Sequence, residues 1–262
     1  MSRTLNLIDI LLTTGRHLVM MGRFTEALEP LTKLSGFRSL PDHAFEELQS
    51  LLADIHLQQR RFLEARRHLA AALTLKPLKA EYHYLMGIAI EEDERADWKR
   101  AEMYFARAVQ IEADNPAYWV DFGSYLFKMG KTRQALAAVR KAFALAMTDA
   151  DIVGEVAAIL RREGYFDEAT TKLHSAIFHN HGAQRFRLLW QQHQFHLIRA
   201  DQEKKGAKGN ATDRPVILPF VATQRHGKYL DLGAKTIRID QAEPLSEPKE
   251  KTPQPYRRPP KG

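Results

Sequence analysis

PAYWVDFGSYLFKMGKTRQALAAVRKAFALAMTD, residues 116–149, contains two helical faces separated by one glycine. Trp119, Phe122, Gly123 and Leu126 recur at spacings of three and four, which places them along one side of a helix. Gly130 ends that helix, because glycine accepts the left-handed backbone that helix C-termini commonly adopt. Ala135, Val139 and Ala142 then share one face of a second helix. The smallest residues, Gly123 and Ala135, stand where the two helices must come closest, and large residues surround them.

Outward from this segment the same pattern returns. Its corner reads GKTRQA at 130–135, and cognate phrases are GRFTEA at 22–27, RRFLEA at 60–65, ADWKRA at 96–101 and GYFDEA at 164–169. Their closing alanines, Ala27, Ala65, Ala101, Ala135 and Ala169, are separated by 38, 36, 34 and 34 residues. Self-similarity at such a period marks stacked supersecondary units, since one hairpin cannot bury its own apolar face. The first helices supply Leu11, Thr14, Gly15 and Leu18; Gln49, Leu52, Ala53 and His56; His83, Met86, Gly87 and Ile90; and Val153, Val156, Ala157 and Leu160. Departures are Leu34 where a small residue is usual, four extra residues around LSGFRSLP, two around EDERADW, and polar Gln49 and His83 at bulky positions.

The pattern Trp119, Phe122, Gly123, Leu126, Ala135, Val139 resembles the tetratricopeptide repeat. The resemblance implies an all-α, right-handed α-solenoid of about five helical hairpins at 8–45, 46–79, 80–115, 116–149 and 150–183. A capping helix is expected over 184–203, with Phe186, Leu189, Trp190, His193 and Leu197 packed and Gln191, Gln192 and Gln194 turned away. It also implies that first helices line an inner, concave groove that binds a peptide or helix of a partner protein. Taking residues three before, one after and four after each small residue, the groove comprises Leu12, Arg16, Val19, Ser50, Asp54, Leu57, Tyr84, Ile88, Glu91, Val120, Ser124, Phe127, Gly154, Ala158 and Arg161. Its middle, at Tyr84, Ile88, Val120 and Phe127, reads in two ways, as an exposed apolar strip with charges at the margins or as side chains that touch a neighbouring repeat and belong to the core, and the strip is the expectation. Relatives that grip acidic chaperone tails cluster Lys, Arg and Asn there; this groove has no Asn, and Arg16 and Arg161 stand at opposite ends. Small secretion-type chaperones share the architecture and an apolar groove.

Other chemistry finds little support in the residues. Cysteine is absent, which excludes disulfides, thiolate metal sites and cysteine nucleophiles. His174, His179, His181, His193 and His196 crowd one region without a set of converging ligands, so no metal and no cofactor is expected. The acidic turn EEDERAD, 91–97, fixes no paired carboxylates around a pocket, and neither a nucleotide-binding glycine loop nor a serine elbow occurs, so the expectation is not an enzyme. Asp9 interrupts the first apolar run, and no run approaches the ~18 residues that span a bilayer. A cytoplasmic location is expected.

Residues 204–262 differ in character. They hold 13 Lys and Arg against 6 Asp and Glu, and eight of the twelve prolines, whereas 1–203 hold 26 residues of each charge. The segment is expected to be extended and largely disordered, apart from a more apolar stretch at 215–240. Two readings of that stretch stand: Val216, Ile217, Leu218, Phe220 and Val221 dock on the protein's own helices as a displaceable self-ligand, or they fold on another protein. The basic charge also admits nucleic acid or an anionic surface as a partner, but its scattering among acids and prolines favours a solvated linker.

Overall fold

The computed structural model describes residues 2–180 and 183–206. The expectations for the tail, including the self-ligand Val216 to Val221, lie outside the described residues. Among the described residues the regular structure is helical: α1 Ser2–Met20, α2 Phe24–Ser35, α3 Asp42–Gln58, α4 Phe62–Leu75, α5 Ala80–Glu91, α6 Ala101–Ile111, α7 Pro116–Lys128, α8 Thr132–Leu145, α9 Ala150–Arg162, α10 Phe166–His179 and α11 Gln184–Gly206. A short 3-10 turn, Trp98–Arg100, precedes α6. The helices fall into two compact units that meet in sequence between Met129 and Gly130, inside the 116–149 repeat. In the first, the hairpins α1–α2, α3–α4 and α5–α6 stack in order and α7 packs on α6. In the second, α8 packs on α9, α9 pairs with α10, and α11 lies against both α9 and α10.

The corners follow from backbone chemistry. Gly22, Gly130 and Gly164 have φ of 74°, 72° and 85°, the left-handed region in which a side chain is strained. At the Gly22 and Gly164 corners two hydrogen bonds close the turn, with Gly22 N–H donating to Val19 O, Arg23 N–H to Leu18 O, Gly164 N–H to Arg161 O and Tyr165 N–H to Leu160 O. This pair satisfies carbonyls that the helix end leaves without partners. The second corner makes the same two bonds, Arg60 N–H to Leu57 O and Arg61 N–H to His56 O, but with Arg60 at φ 57° in the place of glycine. Two first helices, α7 and α9, begin instead with side-chain caps: Asn115 accepts from Ala117 N–H at 3.1 Å, and Asp149 from Asp151 N–H at 2.8 Å.

Small residues set the packing. Ala27, Ala65, Ala101, Ala135 and Ala169 are each 0% exposed. A Cβ placed on Gly87 would lie 2.9 Å from the Phe105 ring, and one on Gly15 would lie 2.6 Å from Leu31. Large residues fill what remains. Around Ala53, Gly87, Gly123 and Ala157, the residues five before are Leu48, Tyr82, Tyr118 and Ile152, and those two after are Ile55, Ala89, Tyr125 and Ile159, all buried. Leu34 is buried with Leu31, while Phe37 and Leu40 from the extra LSGFRSLP residues fold onto the same cluster.

The remaining departures from the repeat pattern have local causes. Gln49 bonds His68 Nδ1 at 2.7 Å, and His83 Nε2 donates to Pro77 O at 2.8 Å. The extra residues at the α5–α6 corner are pinned by Asp93, whose carboxylate lies 2.8 Å from Arg66, and Tyr125 Oη donates to Trp98 O and Lys99 O at 3.1 Å.

Replacing Arg60 by glycine is expected to raise stability by up to about 1 kcal/mol, since the left-handed strain disappears while an exposed 3.6 Å ion pair with Glu92 and the 5.3 Å approach of the guanidinium to the Phe62 ring are lost. Gly87→Ala is expected to cost about 1–3 kcal/mol, because Phe105 is fully enclosed and has nowhere to move. Urea unfolding of both variants beside the parent, compared at the transition midpoint, checks both values.

Candidate protein-interaction face

The first helices of the first unit adjoin through side chains. Tyr84 on α5 reaches α7, where its ring lies 4.6 Å from that of Tyr118 and its hydroxyl donates to the Asp121 carboxylate. At the far end of the same helices Lys128 donates to Glu91. On α1 and α3, Arg16 pairs with Glu47. A third link joins α3 to the start of α5, where Tyr82 Oη and Lys79 Nζ both donate to Glu46, the lysine at 2.9 Å.

These contacts change the character of the expected strip. Tyr84, Val120 and Phe127 are 4%, 2% and 8% exposed, so they belong to the packing between neighbouring helices and not to an open apolar surface. Leu12, Asp54 and Leu57 are buried in the same way. Half-buried positions are Val19, Ser50, Ile88, Glu91 and Ser124, while Arg16 is exposed and held by Glu47. Of the residues three before and four after the small ones, Leu12, Leu57, Tyr84, Val120 and Phe127 are turned inward and buried. The position one after it keeps solvent access at Arg16, Ile88 and Ser124. In the second unit, Gly154 is half-buried and approached by Leu189, Ala158 is exposed and Arg161 is half-buried.

Asp121 was not among the sequence-predicted residues, yet it dominates the electrostatics of the α5–α7 face. Burial raises its pKa from 3.8 to about 6; the Tyr84 hydrogen bond opposes that rise, Glu91 adds to it and Lys128 offsets it. The signal was available in YWVDFGSYLF, where a lone carboxylate interrupts an otherwise apolar helix. Burial also raises the Tyr118 hydroxyl. At Glu46 burial works upward, but the Tyr82 and Lys79 hydrogen bonds prevail and its pKa is lowered.

In the second unit, Phe186, Trp190 and His193 of α11 are buried and Leu197 is half-buried, as a packed helix requires, and Gln191 and Gln192 are exposed. Gln194 is 6% exposed, contrary to the expectation that it turns away. It lies one turn beyond Trp190 and shares its side of the helix. Arg140 holds Glu168 in a two-pronged bond of 2.7 and 2.8 Å, and Arg185 pairs with Asp151. Among the described residues no three His, Asp or Glu side chains are arranged to hold a metal ion. No described helix is long and apolar enough to cross a membrane.

Comparison with known proteins agrees with this architecture. Residues 85–203 match the family described as the cilia and flagella-associated protein 70 middle TPR-like domain. Over 134 residues, 50% of the chain, the sequence is 31% identical to Superkiller complex protein 3 of Homo sapiens, and over 212 residues, 78% of the chain, it is 26% identical to that of Mus musculus. The chain spans only 8% and 13% of those relatives. The fold is similar to that of pilF from Pseudomonas aeruginosa, with a TM-score of 0.54, 19% identity and coverage of 78% of this chain and 94% of that one. It is also similar to a thermophilic TPR protein of Thermus thermophilus, with a TM-score of 0.52, 18% identity and coverage of 73% and 99%. With its alanine-cornered hairpins, this chain has the tetratricopeptide repeat fold.

Proposed function

We propose that the protein is a non-enzymatic interaction module of the cytoplasm, an adaptor, scaffold or chaperone that receives a peptide or helix of a partner protein on the first-helix face of α3, α5 and α7. Tetratricopeptide folds are generally used to bind proteins, and the observation that carries the site is the α5–α7 face. There Ile88 and Ser124 keep solvent access beside Asp121, and Lys128 is engaged by Glu91. Buried Tyr84, Val120 and Phe127 act as the rigid floor of this face. Recognition falls to the half-buried residues above them. A firm floor with few mobile side chains lowers the ordering cost of binding.

A photo-cross-linking residue at Ile88 is expected to trap a partner that the same residue at Met103, 61% exposed on α6, does not trap. Ile88→Asp is expected to weaken that partner at least about tenfold, or ~1.4 kcal/mol. Equal trapping from Met103, or unchanged affinity of the Ile88 variant, removes the site from this face. A synthetic peptide of residues 214–240 in excess is expected to lower the Ile88 cross-link yield if that segment competes with the partner; an unchanged yield discards the self-ligand.

The face also titrates. Because folding raises the pKa of Asp121 above its free value, its ionised form costs stability above about pH 6, and that cost fades as the pH falls toward 3.8. Asp121→Asn keeps an acceptor for Tyr84 and removes the charge. It is expected to raise stability at pH 8 by about 1–2 kcal/mol, allowing for partial solvent access, and by nothing near pH 4. Urea midpoints at the two pH values check this.

A further inference from the structure

In the second unit, α11 is fastened to its neighbours through a histidine that is enclosed in neutral form. His193 is 0% exposed. The Thr170 hydroxyl on α10 donates to Phe166 O at 2.9 Å, so its oxygen is left to accept from His193 Nε2 at 2.7 Å. Nε2 therefore carries the ring hydrogen, and Nδ1 is a bare acceptor. Nδ1 is buried and has no hydrogen-bond partner.

A proton added at Nδ1 would enter cationic surroundings. His174 of α10 packs on Trp190 with ring centres 4.3 Å apart, and Trp190 lies 5.9 Å from His193. On α9, Gly154 lets Leu189 approach to 3.0 Å of where a Cβ would stand. Arg161 lies two turns further along that side and acts on both His193 and His196. Burial is the sole influence lowering the Arg161 pKa, with no carboxylate to oppose it. The charges acting on His193 are Arg161 from α9, His174 from α10 and His196 from α11 itself, and Arg199 acts in turn on His196. No Asp or Glu is among them.

We propose that His193 makes the docking of α11 on α9 and α10 conditional on pH, so that a proton at Nδ1 sets a cation among Arg161, His174 and His196 and releases the helix. Release would bare the sides of α9 and α10 that α11 covers. The device is independent of the α5–α7 face.

The direction follows from linkage. Burial first, and then the neighbouring positive charges, hold the His193 pKa down from 6.5 to about 4, and burial lowers His174 and His196 as well. A base whose proton affinity falls on docking contributes fully above its free pKa and loses that contribution as the pH drops toward the docked value. For His193 alone the docking equilibrium falls about tenfold per pH unit between 6.5 and about 4, roughly 300-fold in all.

Hydrogen exchange of the full chain across this range, corrected for the intrinsic pH dependence of exchange, tests the proposal. Amides of α11 are expected to lose protection about tenfold per unit below pH 6.5 while those of α5 and α6 hold. His193→Gln retains an amide donor for Thr170 and takes no proton, so its α11 is expected to stay protected near pH 5. Protection of the parent α11 unchanged down to about pH 4.5, or release of the variant at the parent's pH, overturns the proposal. If the variant has lost α11 already at neutral pH, the imidazole resonances of His193 in the unaltered chain decide. Titration well below 6.5 together with α11 release supports the switch, and titration near 6.5 with α11 still protected overturns it.

Discussion

Close approach of paired helices at small side chains is the constraint on which this structure rests. Ala27, Ala65, Ala101, Ala135 and Ala169 are enclosed, and Gly87 leaves Phe105 no room for even a methyl group opposite it. Once helices are that near, the residues flanking the small one face the next hairpin rather than their own. Tyr82, Tyr118 and Tyr125 are large enough to reach it, and their burial ties the first unit's stack together. The hydrophobic term thus accrues between repeats as much as within them, which is why no hairpin stands alone.

Most of the fold was legible because it is written in spacing. Corner glycines, the alanine five residues later and the run of first-helix residues pointed to close packing at all five alanines, and all five are enclosed. Arg60 shows that the corner geometry persists even where its usual residue is missing, since two backbone bonds enforce it. The candidate face was less legible. Helical phase says which side of α5 carries Tyr84, but whether that side meets solvent or α7 depends on how closely the next first helix lies, and no local pattern encodes that distance. Tyr84 and Phe127 thus pass from surface to floor, and Asp121, one residue away from the predicted Val120, emerges as the charged group beside them. Gln194 misled for the opposite reason, as its polarity outweighed its position one turn from Trp190.

The polar groups inside the units divide by function. Glu46 with Lys79 and Tyr82, and Glu91 with Lys128, are compensated pairs that set the relation of neighbouring helices. Asp121 and His193 are not compensated in that way. Each is held in an environment that disfavours its charged form, the first facing a candidate binding surface and the second enclosed where α11 meets α10. Groups of this kind make stability depend on pH.

The corner between α5 and α6 carries a further consequence. Its extra residues are drawn outward by the 3-10 turn, tied to α4 through Asp93 and Arg66, and roofed by Tyr125, so the helices on either side keep their register. Counted along the chain the repeats are unequal, yet the closing alanine of each is enclosed. Length variation is therefore confined to places where the chain leaves the stack, and descendants of this sequence can gain or lose residues at such corners without any core side chain changing its neighbours.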